Sequence, residues 1–364
     1  MLALPLAVVA LLTTWPRAEL ERLAPLAAMA DLACIESNAD GTMKQVTLLA
    51  WVPAAPAVMR DVIVRSEKYR EFIPNLSRST REPLPDGRWK STWRMELPVS
   101  SFEGSDVYSI DHADGDAVVM AGDDDARYRY EMLPVGDGTL LVQYGYTDVK
   151  HSNAFVRSFV KRQPMMEHGL ALSAQMMFVT AMRNEAIRRA GAPHIAPPST
   201  AQAPSFTPLL ARGQVAVMRD GEVSVLDRVY AGEARVTEVI ARGGEYASFV
   251  PGVDKSYRRA DGLYVEMSLP IVTWASTWLL RPLVHAIDAA AVDGDLRGAR
   301  VRWDLSPTTP TETLVVYRAR QPLDQSSIVL RKLFAYQPSL RLGINVALGL
   351  VWMRAIRGRA EGWR

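Results

Sequence analysis

The sequence predicts an α+β protein made of two tandem copies of one module, each an antiparallel sheet with a long helix at its C-terminal end. Three observations predict it. The segment Arg60 to Pro74, RDVIVRSEKYREFIP, returns without a gap as Thr237 to Pro251, TEVIARGGEYASFVP. Val62, Ile63, Arg65, Tyr69, Phe72 and Pro74 recur as Val239, Ile240, Arg242, Tyr246, Phe249 and Pro251, and an internal repeat of this kind fixes domain count before fold. Both halves close on a long helical stretch, Ser152 to Arg189 and Ser326 to Arg359, in which Gln163-Pro164 answers Gln337-Pro338 and Gly169 answers Gly343. Between repeat and closing helix, each half runs through about six short stretches of alternating apolar and polar residues joined by turns, which is the signature of consecutive antiparallel strands.

The elements follow in order. Residues 1–24 open on a continuous apolar run, Met1 to Leu12, broken by Pro16. That run suits a signal-peptide core better than a membrane span of about 20 residues, so export, to a periplasm, is expected; the alternative is an N-terminal helix packed on the domain of a cytoplasmic protein. The first module is expected over residues 25–190, a Pro-rich linker over 191–208 and the second module over 209–364. Each module starts with a hairpin turning at an acidic-Gly pair, Asp40-Gly41 or Asp220-Gly221. The repeated segment then reads as a short helix followed by a second helical turn, stopped by the proline. In the strand Trp89 to Leu97, the residues Trp89, Ser91, Trp93, Met95 and Leu97 share one face, and Tyr128, Tyr130 and Met132 alternate with Arg127, Arg129 and Glu131. Leu263, Val265, Met267 and Leu269, then Val301, Trp303 and Leu305, repeat the pattern in the second half. A proline inside each closing stretch should kink or start its helix.

Composition excludes several function classes. With 364 residues, 48% hydrophobic and 23% charged, the chain can bury two cores of roughly 150 residues each. Its 42 basic and 40 acidic residues give no concentrated basic face, so nucleic acid is not an expected partner. Cys34 is the only cysteine, and no Cys/His group has metal-ligand spacing, so neither a disulfide nor a metal is expected. The run Asp123-Asp124-Asp125 reads as a turn.

The residues Ala55, Pro56, Met59, Tyr69, Phe72 and Pro74, with Tyr246, Phe249 and Pro251 in the second copy, resemble the START-like superfamily, the helix-grip fold of lipid-transfer START domains, bacterial polyketide cyclases and coenzyme Q-binding proteins. Gly232-Glu233 stands where the first copy has Ala-Pro, so the second copy is the more divergent. The resemblance covers nearly the whole chain as two tandem helix-grip modules. It implies an elongated apolar cavity between sheet and helix, suited to a lipid, sterol, quinone or polyketide-like molecule, and many unrelated activities on one fold.

Within that frame the first module is expected to hold the principal ligand site. Trp93, Met95, Tyr128, Tyr130 and Tyr144 would line it from the sheet, and Met166, Met176 and Met177 from the Met-rich closing helix, where flexible thioethers repack around varied ligands. The same aromatics also suit a filled core. The segment His151 to His168 is expected to gate entry. No catalytic residue and no cofactor are expected: the five histidines are scattered, and no nucleophile, phosphate-loop or zinc-hydrolase motif occurs. A cyclase-type enzyme and an interaction protein remain as alternatives. The uncharged stretch Leu342 to Met353, followed by Arg354, Arg357 and Arg359, is expected to be buried, with transient membrane-surface contact as the minority reading.

Overall fold

A computed structural model describes residues 12–38, 41–97, 100–123, 125–147, 157, 160, 165–191, 195–199, 205–269 and 272–363. The apolar run before Leu12, Asp40, Asp124, and the gate segment His151 to His168 except residues 157, 160 and 165–168 lie outside these residues. The chain forms two compact units, Met1–His151 with Ala174–Pro208, and Ser152–Ser173 with Leu209–Arg364.

In the first unit the strands are β1 (Asp31–Ser37), β2 (Met43–Val52), β3 (Leu76–Pro83), β4 (Trp89–Leu97), β5 (Ser100–Asp111), β6 (Ala117–Gly122), β7 (Arg127–Val135) and β8 (Gly138–Tyr146). They lie side by side in the order β1-β2-β8-β7-β6-β5-β4-β3, antiparallel throughout. In the second unit β9 (Gln214–Arg219), β10 (Glu222–Val229), β11 (Val253–Arg259), β12 (Gly262–Leu269), β13 (Val272–Leu283), β14 (Ala286–Gly294), β15 (Arg300–Thr309) and β16 (Glu312–Arg320) take the same order, β9-β10-β16-β15-β14-β13-β12-β11. The Asp220-Gly221 turn between β9 and β10 has both residues at positive φ, 51° and 77°, as a two-residue hairpin requires.

The repeated segment does the same work in both copies. Helix α1 (Arg17–Met29) precedes the first copy, whose short helix is α2 (Pro56–Val64). The Tyr69 hydroxyl donates to the carbonyl of Ile63, closing the end of α2. After the closing helix α3 (Met165–Arg189), the second copy has α4 (Glu233–Ala241), and Tyr246 donates to Ile240 in the same way. Each tyrosine meets its phenylalanine edge-on at 5.8 Å, Tyr69 with Phe72 and Tyr246 with Phe249. A threonine fixes the entry to each short helix: Thr139 Oγ1 donates to Ala54 O at 2.6 Å and Thr313 Oγ1 to Ala231 O at 2.8 Å. The recurring side chains are therefore a hydrogen-bonded corner between short helix and sheet, a reason for their spacing to be kept.

The second closing stretch is two helices, α5 (Ile328–Tyr336) and α6 (Pro338–Glu361). Pro338 sits at the first position of α6, and Gln337 before it is extended, at φ −135° and ψ 86°, because proline disfavours a helical predecessor. Over its 24 residues α6 is long and apolar enough to cross a membrane by length and composition, but Gly343 through Val351, Met353 and Ile356 are buried inside the unit.

Helix and sheet approach closely in each unit, by opposite means. In the first, Gly145 on β8 receives Gln175 of α3: a Cβ there would come within 2.3 Å of the Gln175 amide. In the second, the glycine is on the helix: a Cβ on Gly349 would stand 2.6 Å from Val225 Cγ2 and 3.2 Å from the Tyr317 ring. Both units thus have one arrangement, an antiparallel sheet with a long helix laid across it.

Candidate functional site

The second unit contains an apolar slot between sheet and helix. The sheet contributes Val265 and Met267 from β12, Trp274, Ser276, Trp278 and Leu280 from β13, Val301 and Trp303 from β15, and Tyr317 from β16. Helix α6 closes the slot with Leu348 and Trp352. These positions follow from alternation: Trp274, Ser276, Trp278 and Leu280 are every second residue of one strand and so share a face. The enclosed volume is about 70 Å3, and the void out to its open mouth is about 750 Å3. The smaller figure is the room a molecule finds without movement, so a ligand of the usual pocket size, roughly 300–1,000 Å3, enters only if the slot widens toward its mouth.

Polar groups are few and placed. Ser276 Oγ accepts from the Leu296 N–H at 2.9 Å and keeps its own O–H to donate. Gln321 Nε2 donates to the Tyr317 hydroxyl at 3.3 Å, while Gln321 Oε1 is buried with no hydrogen-bond partner among the described residues. Burial raises the pKa of Tyr317 and of Tyr246, so both stay protonated; Tyr246 donates its proton to the Ile240 carbonyl, and Tyr317, which accepts from Gln321, can donate. Trp274 Nε1 donates to Ser326 Oγ at 2.8 Å, tying the slot wall to the chain that leads into α5.

The helix-facing surface of the first sheet is chemically different. Cross-strand register puts Arg81, Trp89, Trp93, Asp106, Tyr108, Tyr128, Tyr130 and Gln143 on one face, the face on which Gln175 meets Gly145. Trp93 Nε1 donates to Asp106 Oδ2 at 2.9 Å. Loss of water around the Asp106 carboxyl pushes its pKa up to about 6, against the Trp93 hydrogen bond and with the help of nearby Asp123. Burial likewise raises Tyr128 to about 12, and raises Tyr130 and Tyr69. Gln143 Nε2 donates to the Tyr130 hydroxyl at 3.0 Å.

Of the eight residues expected around a ligand, the structure brings Trp93, Met95, Tyr128 and Tyr130 to this common face. Met176 and Met177, also in the first unit, are buried. Tyr144 does not join them. It pairs with Arg129 rather than with Tyr128 or Tyr130, and so points from the other face, where its hydroxyl accepts from the Trp15 N–H at 3.0 Å. Period-2 alternation separates residues 144 and 143 across the sheet. Met166 groups with the second unit, as does His168, both wholly buried. The apolar slot described above lies in the second unit, whereas the aromatic count favours the first. The two sheets differ on β5 and β13: Gly104 and Asp106 stand opposite Trp93 and Ser91, where the second copy has Ser276 and Trp278 opposite Val265 and Leu263. Sequence reading missed Trp274, Trp278, Gln321 and Asp106. Alternation in VTWASTWLL would have found the tryptophans, and the same period in FEGSDVYSI places Asp106 on the face of Tyr108.

No protein-family model matches the sequence, and no curated protein matches it. Among solved structures the chain is similar to the di-domain ARO/CYC StfQ from the steffimycin biosynthetic pathway, at 13% identity and a TM-score of 0.32 over 87% of this chain and 98% of that one. It is similar to a START superfamily protein from Mycobacterium smegmatis, at 18% identity and a TM-score of 0.31 over 39% of this chain and 99% of that one. A STAR-related lipid transfer protein from Xanthomonas axonopodis is similar at 14% identity and a TM-score of 0.32, over 39% of this chain and 85% of that one.

Proposed function

We propose that the chain binds a hydrophobic small molecule, of the lipid, sterol, quinone or polyketide class, in the apolar slot of its second module and carries it without transforming it. The observation that carries this reading is a slot walled by Trp274, Trp278, Trp303 and Trp352 with one buried amide oxygen, Gln321 Oε1, left over for a ligand's hydroxyl. Apolar contact would supply the affinity, about 25 cal/mol per Å2 removed from water. The amide oxygen would fix the orientation, since filling it removes a penalty of roughly 1–3 kcal/mol. Tyr317, kept protonated by burial, offers a hydrogen bond and no base. Export to a periplasm, read from the apolar start of the sequence, and transient contact with a membrane surface belong to the same proposal.

Four tryptophans at one site provide the assay. A fatty acid brominated on its chain should quench tryptophan fluorescence of the full chain, and Ala289→Phe, which narrows the slot, should weaken that quenching at least tenfold. Mass spectrometry of organic extracts should recover an apolar molecule unchanged after incubation with the protein. Quenching of equal strength in the Ala289→Phe variant would remove the slot from the reading. A chemically altered extract would favour a cyclase-type enzyme, and no quenching with no extractable molecule would favour an interaction protein.

A further inference from the structure

We propose that the first module holds a second site of different chemistry, in which the Asp106 carboxylate and the aromatic rings around it take the ammonium group of an amine with an apolar body. The carboxylate is set into the sheet by two glycines. A Cβ on Gly122 would lie 2.5 Å from Asp106 Oδ1, and one on Gly104 would lie 2.7 Å from Trp93 Cζ2. Any other residue at either position would displace the Trp93–Asp106 pair, so the strand carries glycine where that pair needs room.

The carboxylate has received one hydrogen bond, from Trp93 Nε1 at 2.9 Å, and forms no ion pair among the described residues. Arg81, the cation on that face, stands 3.7 Å over the Trp89 ring instead. Asp123, beyond the end of β6, adds a second negative charge; it is held by the Ser105 N–H at 2.7 Å. The groups facing Asp106 are therefore one carboxylate and the phenols of Tyr69, Tyr128 and Tyr130, together with the Trp93 indole. Gln143 Oε1, buried on the same face, has no hydrogen-bond partner among the described residues. An anion with no cation paired to it among the described residues, an unpartnered amide oxygen and several aromatic rings complement a hydrogen-bond donor that carries positive charge and favours aromatic faces. A divalent metal is a poor fit, because one carboxylate among rings lacks the oxygen ligands such an ion takes. Apolar contacts with Met120 and the rings would hold the ligand's body.

Titration calorimetry on the full chain tests this with three probes of equal chain length: octylamine, octanol and octanoate. Octylamine should show binding that depends on Asp106, and octanoate should show none that does. Asp106→Asn should lower octylamine affinity at least tenfold while leaving quenching by the brominated fatty acid unchanged, which separates this site from the slot of the second module. Because Asp106 titrates at about 6 and octylammonium stays charged, moving from pH 7.5 to pH 5 should weaken octylamine binding by about tenfold. Trp93→Phe, which removes the donor that favours the charged carboxylate, should shift the midpoint of that pH profile upward. Octylamine binding that is equal in Asp106→Asn, or flat between pH 7.5 and 5, overturns the proposal. So does an unshifted midpoint in Trp93→Phe, which decides the matter if Asp106→Asn fails to fold. Octanol binding that depends on Asp106 and strengthens at pH 5 would mean a carboxylic acid donor and would likewise overturn it.

Discussion

Gly349→Ala sets two effects of known size against each other. In a helix interior alanine is better than glycine by about 1 kcal/mol, so the substitution would stabilise an uncrowded helix. Here the new methyl would stand 2.6 Å from Val225 Cγ2 and 3.2 Å from the Tyr317 ring. Neither neighbour can yield: Val225 is fully buried with a branched, stiff side chain, and Tyr317 is buried and holds Gln321. Overpacking of this kind costs typically 1–3 kcal/mol, and the contact lies at its severe end, so a net loss of about 1–2 kcal/mol is expected. Two units need not unfold together, so the measurement is native-state hydrogen exchange at β10 and β16 amides, where protection should fall by roughly tenfold or more. Because α6 also carries Leu348 and Trp352 into the slot, quenching by the brominated fatty acid should weaken too. Adding Val225→Ala should restore most of the protection. A single variant more protected than the parent, by the full propensity gain, would show that helix and sheet are not this close.

Three further outcomes are expected. Asp106 has its folded pKa raised to about 6 from an ordinary 3.8, so the folded state binds more protons between those values and stability falls as pH rises through them; Asp106→Asn should flatten urea-melt stability over that range and raise it at pH 7 by up to about 3 kcal/mol. Glu185 is held down to about 2 by hydrogen bonds from Arg188 and Arg189, so its contribution is present above its ordinary value near 4.5 and is lost as pH falls through 2; Glu185→Gln should cost about 1 kcal/mol at pH 7, after discounting for exposed Arg188, and nothing at pH 2. Gln321→Leu removes a buried amide with an unpartnered end, so it should raise protection of the ligand-free second module by about 1 kcal/mol while weakening hydroxyl-bearing ligands more than hydrocarbons.

The fold was legible because its signals are local. Tyr69 and Tyr246 keep their spacing to Ile63 and Ile240 since a hydrogen bond joins each pair, and Pro338 announces where the last helix begins. The break at Gln337 follows from Pro338 alone. The site was less legible because it depends on which strand lies beside which. Nothing within residues 127–146 says that Tyr144 points away from Tyr130; that follows once Arg129 is known to pair with Tyr144. Counting aromatics favoured the first half, but a count of rings does not say which of them share a face or stand opposite the helix. Asp106 escaped notice as an ordinary polar residue in a strand, because only the neighbouring glycines and the absence of an ion pair among the described residues distinguish it.

The two glycines at the helix–sheet contact make each module's helix and sheet a matched pair. Suppose the closing helices were exchanged between modules. Gln175 would arrive over Ala319, which stands where the first sheet has Gly145 and carries the methyl that Gln175 leaves no room for, and Gly349 over Gly145, where two recesses would face each other and leave a hole. Neither half could drift toward the other's sequence by one replacement at this contact; each would need a compensating change across the interface. Copies that began alike have thereby become mutually non-interchangeable, and a ligand specificity acquired by one cannot be passed to the other by exchanging its helix alone.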